Sequence, residues 1–181
     1  MKKITSFVGG TSGAWRILSM ETVAGEPLSL ATHLDILDSN LSENFSGNWQ
    51  LRGSRSYERY TNHEEHEQLI QKSPPLGRPE ANSAALIPIQ KTDLWWQLSQ
   101  DERRKIFEEE SHHIEIGMAY LPAIARRLYH SKDLGEPFDF LTWFEFDSKD
   151  KLAFDKLLKE LRQSKEWTYV QREIDIRLVR S

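Results

Sequence analysis

The chain has 181 residues, 38% hydrophobic and 29% charged, with 24 Lys and Arg against 28 Asp and Glu for a formal charge of −4. This is enough apolar chain for one domain with a buried core and excludes disorder; no apolar run approaches the roughly 18 residues of a membrane span, and the scattered basic residues argue against nucleic acid and membrane as partners. Cysteine is absent, which removes disulfides, thiolate metal sites and cysteine nucleophiles and leaves any metal to His and carboxylates.

No apolar stretch of secretory type follows the two lysines within residues 1–10, so a cytoplasmic location is expected, where the sequons at Asn40 and Asn44 would be idle. Residues 4–8 and 15–20 read as short strands, with Gly9 to Gly13 as the turn between them; that turn lacks the Gly-Lys-Ser/Thr ending of a phosphate-cradling loop. Residues 28–37 read as helical, 49–60 as a strand and 64–72 as a polar helix. The prolines of Ser73-Pro74-Pro75-Leu76-Gly77-Arg78-Pro79 preclude regular structure and make this loop a candidate wall of a site. Strand and helix patterns then alternate at short spacing. A strand over 84–90 precedes a helix over 101–130, opened by a Ser99/Glu102 capping box and interrupted at Pro122. A strand over 138–146, a one-sided helix over 149–162 and a strand over 168–179 complete the chain. The succession predicts an α+β fold, an antiparallel sheet with helices on one face, and no internal repeat is visible.

The helix over 101–130 carries His112-His113, whose imidazoles point to different surroundings at about 100° per residue. Ile106, Gly117, Tyr120 and Ile124 share the side of His113, whereas Lys105, Glu108 and Ala119 share that of His112. An imidazole on an apolar stripe beside a glycine suits a flat cofactor such as haem, because neutral imidazole ligates iron; a core histidine fits the same pattern. His63 and His66 with Glu67 have a zinc-compatible spacing that a solvated helix face also explains. Glu108-Glu109-Glu110 diverge around a helix and read as a solvated face, not an acid–base pair. Lys91 with Trp95-Trp96 joins a cation to two indoles, which suits the anionic edge of a flat group or plain core packing.

Larger blocks are more specific. Leu86-Ile87-Pro88-Ile89-Gln90-Lys91, Trp95-Trp96, Asp101-Glu102-Arg103-Arg104, Ser111-His112-His113, the run from Tyr120 to Leu128, the run from Phe138 to Glu145, and Glu166-Trp167 together resemble the chlorite dismutase family of haem b proteins. The resemblance covers about residues 74–180 and, with the short chain and reduced first half, points to the small dimeric branch. It implies a single haem-binding domain, with a reduced half 1–83 and a haem-binding half 84–181, in a ferredoxin-like dimeric α/β barrel. It also implies haem b as cofactor, a homodimer, and conversion of chlorite to chloride and O2 through a ferryl and hypochlorite intermediate. His113 is then the iron ligand, and Glu166 the carboxylate that bonds the other imidazole nitrogen and raises ligand basicity. Lys91, Ile89, Trp95, Trp96 and Tyr60 are implied around the cofactor. Arg126 matches the distal arginine, whose fixed charge would hold chlorite and hypochlorite; periodicity alone would choose Arg127, but Pro122 voids that choice. Small members carry a glutamine before the proline-rich loop to restrain the arginine, where this chain has Ser73, with Gln71 nearby.

Other functions stay open at this level. A coproheme decarboxylase of the same superfamily would carry a reactive tyrosine where this chain has Ile87 and a glutamine in place of Arg126. A haem carrier or sensor would need His113 but has no use for Glu166 or Arg126, and a binding domain without haem would be colourless.

Overall fold

Eight antiparallel strands close into a barrel in the computed structural model of the chain, which describes residues 4–38, 46–55 and 60–181. They are β1 (Ile4–Gly10), β2 (Trp15–Ala24), β3 (His33–Asp38), β4 (Trp49–Arg55), β5 (Ser83–Lys91), β6 (Ala125–His130), β7 (Phe140–Phe146) and β8 (Val170–Arg180). Around the barrel they run β1-β3-β2-β8-β5-β7-β6-β4. The helices are α1 (His63–Lys72), α2 (Asp93–Gln97), α3 (Gln100–Arg104), α4 (His113–Met118) and α5 (Lys151–Arg162).

Side chains alternate across each strand, so one set fills the barrel and the other faces out. Leu86 of β5 pairs with Trp143 of β7 and Ile176 of β8, and these join Phe7, Leu51, Tyr129 and Leu141 in one buried cluster. The rings of Phe7 and Trp15 lie 5.8 and 5.2 Å from that of Trp143. The outward set, Ala85, Ile87, Ile89, Phe144 and Phe146, is covered by Phe154, Leu157, Leu158 and Leu161 of α5. Burying each such large side chain contributes about 1.5–3 kcal/mol, which holds α5 on this face. A strand covered on both sides reads as an unbroken apolar run, and this is why residues 84–90 stand out.

The strand order repeats. Within β1–β4 the neighbours run fourth, first, third, second, and within β5–β8 they run the same way. The first half keeps the order without the first helix: residues 11–14 alone link β1 to β2, whereas α2, α3 and α4 lie between β5 and β6.

Three expectations need correction. Residues 28–37 are not helical: the chain is irregular to Ser29–Thr32 and then forms β3, because pairing with β1 demands an extended backbone. The helix expected to reach His130 ends long before it, since residues 125–130 are β6, paired along their length with β7. The antiparallel sheet with helices is as expected, but it closes into a ring within one chain, where a dimeric barrel is expected. The repeated strand order has no counterpart in a visible sequence repeat. The strand expected over 49–60 is described as far as Arg55, while Asn40 and Asn44 lie outside the described residues.

Candidate functional site

The segment leading to His113 is a helix broken twice. Glu102 Oε2 accepts the Ser99 N–H at 2.8 Å and so opens α3; residues Lys105–Glu110 then widen into a π turn. Such turns accommodate an extra residue and shift every later side chain around the axis. His112 next takes a left-handed backbone, φ 53° and ψ 36°, which costs a residue with a Cβ about 1–2 kcal/mol. The chain restarts as α4 at His113, and Glu108 stabilises the restart by accepting the Ile114 N–H at 2.7 Å, the task of a cap at a helix start.

Three polar side chains from distant parts of the chain meet there. Glu166, buried in a 3₁₀ turn after α5, lies with Oε2 2.6 Å from His113 Nδ1, and its Oε1 accepts from Lys91 Nζ at 2.8 Å. Lys91 is itself buried at the end of β5, and the Glu166 N–H is held by Ser111 Oγ at 2.8 Å. Burial alone would raise the Glu166 carboxyl, but the charges of His113 and Lys91 and their hydrogen bonds outweigh it and bring the pKa down to about 2. The carboxylate is therefore ionised at any working pH and fixes which nitrogen of His113 faces it. Among the described residues His113 Nε2 has no hydrogen bond.

Aromatic rings frame the imidazole. Phe107 from the π turn stacks on it at 4.3 Å between centroids, and Trp167 lies near-parallel at 6.3 Å, its Nε1 donating to the buried Glu173 at 2.8 Å. Tyr60 touches Phe107 and Trp95, at 5.4 and 6.3 Å. Lys91 Nζ sits 4.2 Å above Trp95, whose own buried Nε1 has no acceptor among the described residues. Trp96 is differently engaged: its Nε1 donates to Asp139 at 3.1 Å, it stacks on Phe140, and Lys132 lies 4.3 Å above it. Ile89, buried on the outer face of β5, belongs to the cluster under α5.

Arg126 projects from β6 opposite Phe144, on the helix-covered side of the sheet. Its guanidinium lies on α4 at Gly117, where a Cβ would overlap Nη1 and stand 3.0 Å from Cζ. Gly117 follows His113 by one helical turn, so the two share a face of α4. The approach to β6 is clamped by the proline-rich loop: Arg78 donates to the carbonyls of Pro122 at 3.3 Å and Ala123 at 3.0 Å. The loop thus packs against the approach to β6, and Ser73 is exposed at its start.

A family model described as chlorite dismutase matches residues 29–180. The chain belongs to the chlorite dismutase family. Across 98% of its length it superposes on 99% of a chlorite dismutase from Nitrobacter winogradskyi, described as dimeric, with 54% identity and a TM-score of 0.93. It also resembles a chlorite dismutase from Candidatus Nitrospira defluvii in complex with imidazole, at 27% identity and a TM-score of 0.60, over 74% of this chain and 55% of that one. A curated chlorite dismutase from Ideonella dechloratans is 36% identical over 86 residues, 48% of this chain and 28% of that protein. The chain thus spans about a quarter of that curated relative and nearly all of its Nitrobacter counterpart.

Of the residues expected at a site in this family, His113, Glu166, Lys91, Trp95 and Tyr60 form one connected group, with Arg126 joined to it through α4. Trp96 and Ile89 lie on the flank at Asp139, whose carboxylate accepts from Trp96 and whose N–H donates to Ile89 O at 2.9 Å. Sequence reasoning missed Phe107, Trp167 and Glu108; the Glu108–Glu110 run, read as solvent-facing, hides the residue that caps α4. His63 is exposed and pairs with Glu67 at 3.2 Å, and among the described residues no group of three or more His, Asp or Glu is placed to hold a metal. No helix among them is long and apolar enough to cross a membrane.

Proposed function

We propose that this chain converts chlorite to chloride and O2 with haem b bound at His113, and that it does so as a homodimer. The observation that carries the reading is the line Lys91–Glu166–His113: a buried carboxylate committed to Nδ1 leaves Nε2 as the ligand atom, the arrangement that orients metal-bound histidines. The surroundings fit the group. Imidazole is a suitable nitrogen donor to iron, near-parallel aromatic rings flank it, and the buried Trp95 Nε1, which has no acceptor among the described residues, could donate to an anionic group such as a propionate. Haem bound there supplies the oxygen-transfer chemistry that takes chlorite to chloride and O2.

The protein's own part is electrostatic and steric. Glu166 holds His113 in one tautomer and makes it a stronger donor, and Lys91 keeps that carboxylate ionised in a buried place. Arg126 is permanently charged and would attract chlorite and retain hypochlorite until O2 is formed. The C-terminal strands, in the order β8-β5-β7-β6 with helices between, read as a ferredoxin-like unit. Homodimerisation is supported by the Nitrobacter protein, which is described as dimeric.

The test is a haem titration followed by chlorite addition under an oxygen electrode. A ferric spectrum that shifts with cyanide, and O2 released in step with chlorite consumed, is the expected result; Arg126→Ala should keep the spectrum and lose most of the O2. Haem binding without O2, or O2 release unaltered in Arg126→Ala, would overturn the reading.

A further inference from the structure

We infer that Gly117 is a positioning residue for Arg126: the missing side chain at this point of α4 is the seat that determines where the guanidinium rests. The inference deepens the role proposed for Arg126 and rests on it for its catalytic meaning.

Glycine is a poor helix former, and at position 117 no left-handed backbone calls for it. Space does. The residue is buried, and a Cβ built on it would overlap Arg126 Nη1 and stand 3.0 Å from Cζ and 3.1 Å from Nη2. The atoms in the way are the far end of a flexible side chain, so a methyl group here displaces the guanidinium before it disturbs the backbone. Strand β6 cannot retreat to absorb the change. Arg126 is paired with Phe144 of β7, and Arg78 holds the carbonyls of Pro122 and Ala123 just before the strand. One helix therefore carries both His113 and, a turn later, the surface against which the charge of Arg126 is set.

The experiment is a double-mutant cycle on Gly117→Ala and Arg126→Ala. In the haem-free chain, Gly117→Ala should raise the melting midpoint by about 2–4 °C when residue 126 is alanine, as alanine favours a helix. With Arg126 present the gain should vanish or reverse. Equal shifts in both backgrounds, or failure of Gly117→Ala to fold in both, would overturn the proposal; failure to fold only when Arg126 is present supports it. In the haem-loaded protein, Gly117→Ala should lower kcat for chlorite about 10- to 100-fold, the effect of a misplaced charge, with haem affinity unchanged and no further loss on top of Arg126→Ala. A loss of kcat that persists undiminished in the Arg126→Ala background counts against it. If the unaltered chain releases no O2, the proposed function falls, and the melting comparison still decides the seat.

Discussion

Glu166 and His113 lie 53 residues apart in the chain and 2.6 Å apart in space, with the carboxylate buried and the imidazole partly open. Replacing the charge with a neutral amide of the same shape tests what that pair does. Glu166→Gln should lower haem affinity or chlorite turnover about 10- to 100-fold, the usual cost of losing a carboxylate behind a metal-bound histidine. Reconstitution titrations and the iron–histidine stretching frequency read the two effects, and an unchanged frequency would contradict the assignment.

Acid should act through the same carboxylate. Its folded pKa, about 2, lies below the ordinary 4.5, so its contribution to stability is complete above about pH 4.5 and drains away as pH falls toward 2. Urea unfolding of the haem-free protein between pH 5 and pH 3 should show stability falling with pH, and more shallowly in Glu166→Gln. Parallel slopes would show that other groups govern the acid limb.

The cap on α4 gives a smaller effect. Glu108→Ala removes the acceptor for the Ile114 N–H and should cost about 1 kcal/mol of unfolding free energy. Because His113 opens that helix, haem affinity should fall as well. A stability change without any change in haem affinity would mean that the cap serves the fold alone.

Beneath Trp167, Arg162 donates to Glu173 at 2.6 and 2.8 Å and to Asp175 at 3.0 Å, and both carboxylates are buried. Arg162→Ala would leave Glu173 with the Trp167 indole alone, whereas Asp175 keeps Arg177, and should destabilise the protein by about 3 kcal/mol. Denaturant melts measure it; a loss below 1 kcal/mol would mean that water reaches the pair.

The second half is legible because each strand from β5 onward is an apolar run or alternation between helices of different period. β6 is the exception. Ala125-Arg126-Arg127-Leu128 continues a helical pattern, and only pairing with β7, which no local signal announces, makes it extended. β3 is hidden in the same way, its six residues gaining their conformation from β1. His113 itself was visible as one of two adjacent histidines, but the neighbours expected from an unbroken helix were not the ones that stack on it. The π turn and the left-handed His112 reset the phase, bringing Phe107 to the imidazole and leaving the gap at Gly117 to Arg126. Glu166 carries no signal at all without a family resemblance, since a lone acid before a strand looks like any surface charge.

A ring whose two halves repeat one strand order offers, by symmetry, two equivalent outer walls, and a duplicated scaffold of that kind has room for two centres. Here the symmetry stops at the connections: the wall of β5 and β7 is roofed by the 12 residues of α5, and α1, the helix between the halves, leans on α4 instead of making a second roof. Among the described residues the roofing helices are thus gathered on one wall. If haem binds at His113 as proposed, a titration should therefore saturate at one equivalent per chain, with the other wall left to differ from its twin as freely as the barrel's closure permits.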